Sequence, residues 1–248
     1  MDLEQPDWVD NSMNSMAFEP MMAAIDNRQI TGEIYQVGGS AMTAPQDAAI
    51  YLISFDGAAA LIDSGCGYGH DQLLRNLHSC GMDPNAIDYL FLTHCHIDHT
   101  GGAKRLKDEL GCLVVAHELD AHFIEQGDDT VTAATWYGTA MPPVSVDRKI
   151  GSPEEIVRLG DRAIKAVHVP GHSPGSLVYV TESEGLTIVF AQDVHGPLHP
   201  DLLSDFRDYQ QSLHHLFSLE ADILCEGHLG VYRGKETVRR FIMSYIEK

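Results

Sequence analysis

Tyr89-Leu90-Phe91-Leu92-Thr93-His94-Cys95-His96-Ile97-Asp98-His99 joins an apolar run of strand character to three imidazoles and one carboxylate within six residues. Alternate residues of an extended segment point to opposite sides. One ion therefore cannot gather all four polar side chains, and two adjacent metals are the natural expectation. The buried strand supplies a rigid support at whose end the donors emerge.

Outward from this stretch the chain reads as alternating strands and helices. Gly32 to Val37 reads as a strand, and Ala49 to Ser54 and Ala59 to Ile62 form a hairpin about Asp56-Gly57. Leu73, Leu74 and Leu77 have helical spacing within Asp71 to Cys80, and Pro84 precedes the next strand. Helices are expected at Ala103 to Leu110, ended by Gly111, and at His117 to Gln126, with a strand at Cys112 to Ala116 between them. Gly127 to Val144 is a long irregular stretch, and loops of that length are usually functional. Strands are expected at Val144 to Arg148, Ala163 to Val169, Ser176 to Thr181, Leu186 to Ala191 and Ile223 to Cys225. Phe206 to Leu219 and the i, i+3, i+4, i+7 set Val238, Phe241, Ile242, Tyr245 read as helices. Two strand-rich halves, each finished by helices, point to sheets packed face to face with helices outside.

Bulk properties narrow the function. The 248 residues are 44% apolar and 21% charged, ordinary for one globular domain. Residues 1–28, rich in methionine (Met13, Met16, Met21, Met22), read as an extension, disordered or docked on a neighbour, before a single domain at 29–248. A homodimer using that extension is the expectation for oligomeric state. Sixteen Lys and Arg against 36 Asp and Glu give a net charge of −20, which excludes nucleic acid as a main partner. No stretch is long and apolar enough for a membrane span, and the acidic N-terminus lacks a signal pattern, so a cytoplasmic location is expected. The five cysteines have no CxxC spacing and read as reduced and mostly core.

Three further polar residues sit at strand-to-loop junctions: His172 in Pro170-Gly171-His172-Ser173-Pro174-Gly175, Asp193 after Leu186 to Ala191, and His228 in Gly227-His228. With His94, His96, Asp98 and His99 they make five imidazoles and two carboxylates, a set that suits Zn²⁺ better than Ca²⁺ or Mg²⁺. Iron or manganese stand as alternatives. His195 and His199, and Trp136, Tyr137 and Met141 of the long loop, are expected to face the substrate.

These blocks, in this order, resemble the metallo-β-lactamase superfamily. Its His-x-His-x-Asp-His is matched by His94, His96, Asp98 and His99, its early Asp-x-Gly by Asp63-Ser64-Gly65, its Pro-Gly-His motif by Pro170 to Gly175, its bridging aspartate by Asp193 and its late Gly-His by Gly227-His228. The resemblance implies an α/β fold, a four-layer αβ/βα sandwich of two mixed sheets with helices on the outer faces. It also implies that His94, His96 and His172 hold one metal and Asp98, His99 and His228 the other, with Asp193 between them. A hydroxide between the ions would attack a small ester, thioester or lactone, and Asp98 would also act catalytically by taking up a proton. Asp63 would orient the ligand loops from behind. A small-molecule phosphodiesterase on the same site and a mononuclear iron persulfide dioxygenase are the alternatives. Only twenty residues follow His228, where glyoxalase II enzymes carry a glutathione-binding helical region, and Gly196 stands where acyl-homoserine lactonases carry a tyrosine.

Overall fold

The computed structural model describes residues 29–247 except Gln192; the expected extension at 1–28 lies outside the described residues. The first sheet has seven strands in sequence order: β1 (Gln29–Thr31), β2 (Ile34–Gly38), β3 (Ile50–Phe55), β4 (Ala58–Ile62), β5 (Ile87–Phe91), β6 (Leu113–His117) and β7 (Arg148–Ile150). Its first half is antiparallel, and β4 to β7 run parallel. The second sheet is ordered β13-β12-β11-β10-β9-β8, from β8 (Glu154–Leu159), β9 (Arg162–His168), β10 (Leu177–Ser183), β11 (Leu186–Phe190), β12 (Ile223–Cys225) and β13 (Val231–Arg233). Among the described residues the α-helices are α1 (His70–Ser79), α2 (Ile97–Thr100), α3 (Ala103–Leu110), α4 (Glu118–Gln126), α5 (Phe206–Ser218) and α6 (Lys235–Met243).

Strand alternation explains the layers. Ile50, Leu52, Leu90, Leu92 and Val114 point to one face of the first sheet and pack under Leu73, Leu77, Leu106 and Ile124 of α1, α3 and α4. Tyr51, Ile53, Ile62, Phe91 and Val115 point the other way, onto Val157, Ile164, Tyr179, Ile188 and Phe190 of the second sheet. That sheet's outer face, with Val167, Val178, Val189 and Leu224, is covered by Leu213, Leu216, Val238 and Ile242 of α5 and α6. The result is the expected four-layer sandwich. Strands buried on both faces read as unbroken apolar runs, which is why Tyr89 to Leu92 is so apolar. The hydroxyls of the buried tyrosines are satisfied across the sheets: Tyr51 donates to Glu226 O at 2.7 Å and Tyr179 to Leu92 O at 2.8 Å.

Most expected elements fall within two residues of their positions. The strand expected at Val144 to Arg148 is an exception, because pairing in the sheet begins only at Arg148. Upstream the backbone is engaged elsewhere: Val144 N–H donates to Ile124 O, and Val146 N–H to the Glu125 carboxylate. Three strands went unread. β1 and β13 are three residues long, and in β8 only Val157 and Leu159 are buried, with Glu154 and Arg158 marking a charged edge.

Candidate metal centre

The His94 cluster is not one extended segment. His96 is still extended, at φ −68° and ψ 147°, and caps α2, whose single turn carries Asp98 and His99. β5 ends at Phe91 and the chain bends through residues 93–95, so a loop presents His94 and His96 to one donor group, and the helical turn brings Asp98 and His99 to a second. The remaining donors arrive on loops: His172 between β9 and β10, Asp193 after β11, and His228 after β12.

The seven donors form two groups. His94 Nε2 and His172 Nε2 each lie 3.0 Å from His96 Nδ1, and His172 Nε2 lies 3.4 Å from Asp193 Oδ2. In the second group His228 Nε2 is 3.3 Å from His99 Nε2 and 3.3 Å from Asp98 Oδ2, while His99 Nε2 is 3.8 Å from Asp98 Oδ2. The other oxygen of Asp193, Oδ1, faces this second group, 3.1 Å from His99 Nε2 and 3.3 Å from His228 Nε2. Asp193 thus offers one oxygen to each group. All the donors are deeply buried except His228, whose side chain is 30% exposed.

The tautomers are set from behind. His99 Nδ1–H donates to Asp63 Oδ2 at 2.7 Å, and His172 Nδ1–H to Pro197 O at 3.0 Å. Thr93 spends its hydroxyl proton on Asp63 Oδ2 at 2.8 Å, so its oxygen accepts from His94 Nδ1–H at 3.0 Å. In the neutral form each of these rings turns a bare Nε2 inward. Asp63 also accepts Thr93 N–H through Oδ1 at 2.8 Å and is held at φ +61°, which is uncommon outside glycine. Burial first, and then neighbouring imidazoles, push His94 and His96 down, His96 to about 3. Burial also lowers His172. His99 and His228 go the other way: burial would lower them, yet the Asp193 and Asp98 carboxylates raise both, His228 to about 10.

This arrangement fits a cation. Asp193 Oδ1 is buried without a well-directed hydrogen bond, a costly state for a carboxylate oxygen. Donor separations of 3.0 to 3.4 Å in the first group match the roughly 3.3 Å edge of a tetrahedron with metal bonds of about 2.0–2.1 Å.

Two buried carboxylates support the donors, and sequence reading passed over both. Asp120, fully buried on α4, accepts Cys95 N–H at 2.9 Å, Ser173 O–H at 2.6 Å and Gly175 N–H at 2.6 Å, tying the His94 loop to the His172 loop. Its signal was an acid on the same helix face as Ala121 and Ile124. Glu226, also fully buried, accepts His228 N–H and Leu229 N–H at 2.6 Å each and His195 Nδ1–H at 2.9 Å. At Gly227 an added Cβ would lie 2.5 Å from Asp193 Oδ1, so only glycine leaves room for that carboxylate.

Above the donors lies a cavity of about 210 Å³, lined by His96, Asp98, Ala133, Trp136, Tyr137, Asp193, His195, Pro197, Leu202 and His228. It contains the expected Trp136, Tyr137 and His195. Met141 is instead buried under the loop, and His199 stands at the rim, its ring edge-on to Trp136 at 5.2 Å. Cys66, Cys95 and Cys225 are buried thiols, as expected. Among the described residues no helix is long and apolar enough to cross a membrane.

Fold and donor set together define the class: the chain belongs to the metallo-beta-lactamase superfamily, whose model matches residues 44–228. It is similar to Ribonuclease TTHA0252 of Thermus thermophilus, 31% identical over 206 residues, which covers 77% of this chain and 44% of that protein. It is also similar to the acyl-coenzyme A thioesterase MBLAC2 of Bos taurus, 28% identical over 231 residues, covering 81% and 79%. A solved subclass B3 metallo-β-lactamase with an active-site glutamic acid superposes with a TM-score of 0.75 at 25% identity, covering 88% of this chain and 86% of that one. The chain spans only 44 to 64% of the length of several curated relatives.

Proposed function

We propose that the protein is a dinuclear metal-dependent hydrolase acting on a small ester, thioester or lactone. The observation that carries this reading is Asp193, which turns one oxygen to each of two donor groups beneath a small cavity. His94, His96 and His172 would hold one ion, and Asp98, His99 and His228 the other. Two ions of zinc suit these nitrogen and carboxylate donors, with iron or manganese as alternatives. When bound, the ions supply Lewis-acid activation of water near neutral pH.

The residues themselves orient the reaction. Asp63 and Thr93 fix the rings of His99 and His94, so the donors do not reorganise as charge develops. Asp98, itself one of the donors, also lines the cavity and is placed to take a proton from the attacking water and return it to the leaving group. Trp136, Pro197 and Leu202 give an apolar wall, and the volume of about 210 Å³ fits a short acyl group.

Several observations favour carbonyl over phosphoryl substrates. No Lys or Arg lines the cavity, and a chain of charge −20 repels polyanions. The same argument favours a small molecule over RNA, despite the similarity to a ribonuclease. The similarity to an acyl-coenzyme A thioesterase supports thioesters within the class. Seven donors in two groups exceed what a mononuclear iron dioxygenase would use.

Metal content per chain, followed by turnover of ester, thioester, lactone and phosphodiester panels with a His96→Ala control, tests the proposal. The expectation is about two metals per chain and carbonyl-ester turnover that His96→Ala abolishes. Trace metal in the purified protein, or activity untouched by the substitution, would sink it.

A further inference from the structure

Outside the two donor groups, the cavity offers few polar side chains. Ala133, Pro197 and Leu202 have no donor, and His195 commits its Nδ1–H to Glu226. Trp136 is half exposed and set edge-on against His199 at the rim. Tyr137 is the one hydroxyl on the lining, which it shares with the Asp98 carboxylate. It lies outside the motifs of the resemblance, yet with Gly196 in the place of the lactonase tyrosine it is the group that the sequence offers to polarise a carbonyl.

Its position is built rather than incidental. Tyr137 ends a short 3-10 turn, Ala134–Tyr137, flanked by Ala133 at φ +60° and Gly138 at φ +64°. That turn is pinned by Thr135 N–H donating to Asp129 O at 3.0 Å, while Ile97 N–H donates to Thr132 O at 2.8 Å. Ile97 opens α2, the turn that carries Asp98, so the phenol and the carboxylate are anchored to the same backbone. A donor fixed in advance costs no reorganisation when charge appears beside it.

We propose that Tyr137 is a further catalytic residue, its O–H donating to the substrate carbonyl oxygen as that oxygen becomes anionic. This rests on the ester-hydrolase reading above. When water oxygen bonds to the carbonyl carbon, one water proton passes to Asp98 and the π pair moves to the carbonyl oxygen, where the phenol donates. Collapse re-forms the carbonyl and breaks the bond to the leaving oxygen or sulfur, which takes the proton from Asp98, and the phenol proton stays on Tyr137 throughout. A tyrosine phenol ordinarily titrates at about 10, so at neutral pH it is a neutral donor.

The test compares wild type with Tyr137→Phe, metal-loaded, by metal content, by kcat and KM on the best ester of the panel, and by calorimetric Kd for a short-chain phosphonate monoester that mimics the tetrahedral oxyanion. Loss of one such donor should lower kcat about 100-fold with little change in KM or metal content, and weaken phosphonate binding at least tenfold. Equal kcat and equal phosphonate Kd in the two proteins would overturn the assignment. A fall in kcat matched by lost metal, with phosphonate affinity unchanged per loaded site, would also overturn it and make Tyr137 a support for Asp98. If wild type turns over no carbonyl ester, the hydrolase reading fails by itself, and equal phosphonate affinity then removes the Tyr137 donor as well.

Discussion

Asp63 Oδ2 accepts a hydrogen bond from His99 Nδ1 at 2.7 Å while the same oxygen takes the Thr93 hydroxyl at 2.8 Å, so one carboxylate orients a member of each donor group. Asp63→Asn would offer an amide N–H to at least one of these donors and leave His99 free to turn. Metal affinity should fall about 10- to 100-fold, the usual cost of losing a group behind a ligand, with the thermal midpoint of the metal-free protein changing less. Competition with a chromophoric chelator measures the affinity, and an unchanged value would refute the orienting role.

Asp120 makes a second tie, from Cys95 on one ligand loop to Ser173 and Gly175 on the other. Asp120→Ala strands three buried donors, and losing their partner should cost about 3 kcal/mol or more. The denaturant midpoint would fall, and metal content with it. A midpoint within error of wild type would show that the two loops hold their places without this carboxylate.

The history of these two carboxylates shows what sequence can carry. Asp63 announced itself because it sits in a short motif beside the donors, whereas Asp120 lies on a helix where an acid is usually a solvated face. Only its sharing of the Ala121 and Ile124 stripe marked it as buried, and only the tertiary structure shows which loops it joins. The layers were legible for the same reason that the strands were, since strands covered on both faces must be continuously apolar. β8 hid because an edge strand needs only Val157 and Leu159 inside. The donor grouping was legible only in part: the split into two groups was readable, but the bend after Phe91 and the turn at Ile97–Thr100 that redirects Asp98 and His99 leave no periodic trace in so few residues. The cavity wall depends on a loop whose path is set by Asp128 and Asp129 accepting backbone N–H groups, which composition does not reveal.

His117 gives the fold a dependence on pH. Its ring stacks on His168 with centroids 3.8 Å apart, and Nδ1 accepts Leu119 N–H at the start of α4. Burial first, and then His168, push His117 down to about 4 from an ordinary value of 6.5. The native state therefore binds this proton more weakly than the unfolded chain does. Its contribution is intact above about pH 6.5 and is lost progressively as pH falls toward 4. His117→Asn keeps a capping acceptor and removes the titration. The variant should lose less stability than wild type between pH 7 and pH 5 in parallel urea melts; parallel losses would exclude His117 as the source.

Removing metal should destabilise the whole domain, because the donors come from both sheets and from four separate loops. Ligand that binds only the native state at 100 times its Kd adds about 2.7 kcal/mol. In a chain of this size that corresponds to a thermal midpoint roughly 5–10 °C lower after chelation. Re-addition of Zn²⁺ should restore the midpoint, and His96→Ala should show a smaller difference with and without chelator. Identical melting of chelated and untreated wild type would count against a metal held by these donors.

Gly227 offers the sharpest separation of the two donor groups. Its φ is not positive, so Gly227→Ala meets no left-handed strain and its cost comes from space. The new Cβ would sit 2.5 Å from Asp193 Oδ1 and 3.0 Å from His99 Cε1. Asp193 must withdraw the oxygen that faces the second group, while Oδ2, turned to His172, is less directly displaced. A second ion would then lose the carboxylate offered to it, whereas a first would keep three imidazoles. The expectation is a fall from about two metals per chain to about one, with the fold retained by circular dichroism and turnover reduced at least tenfold. Two tightly held metals in Gly227→Ala would mean that Asp193 does not join the groups.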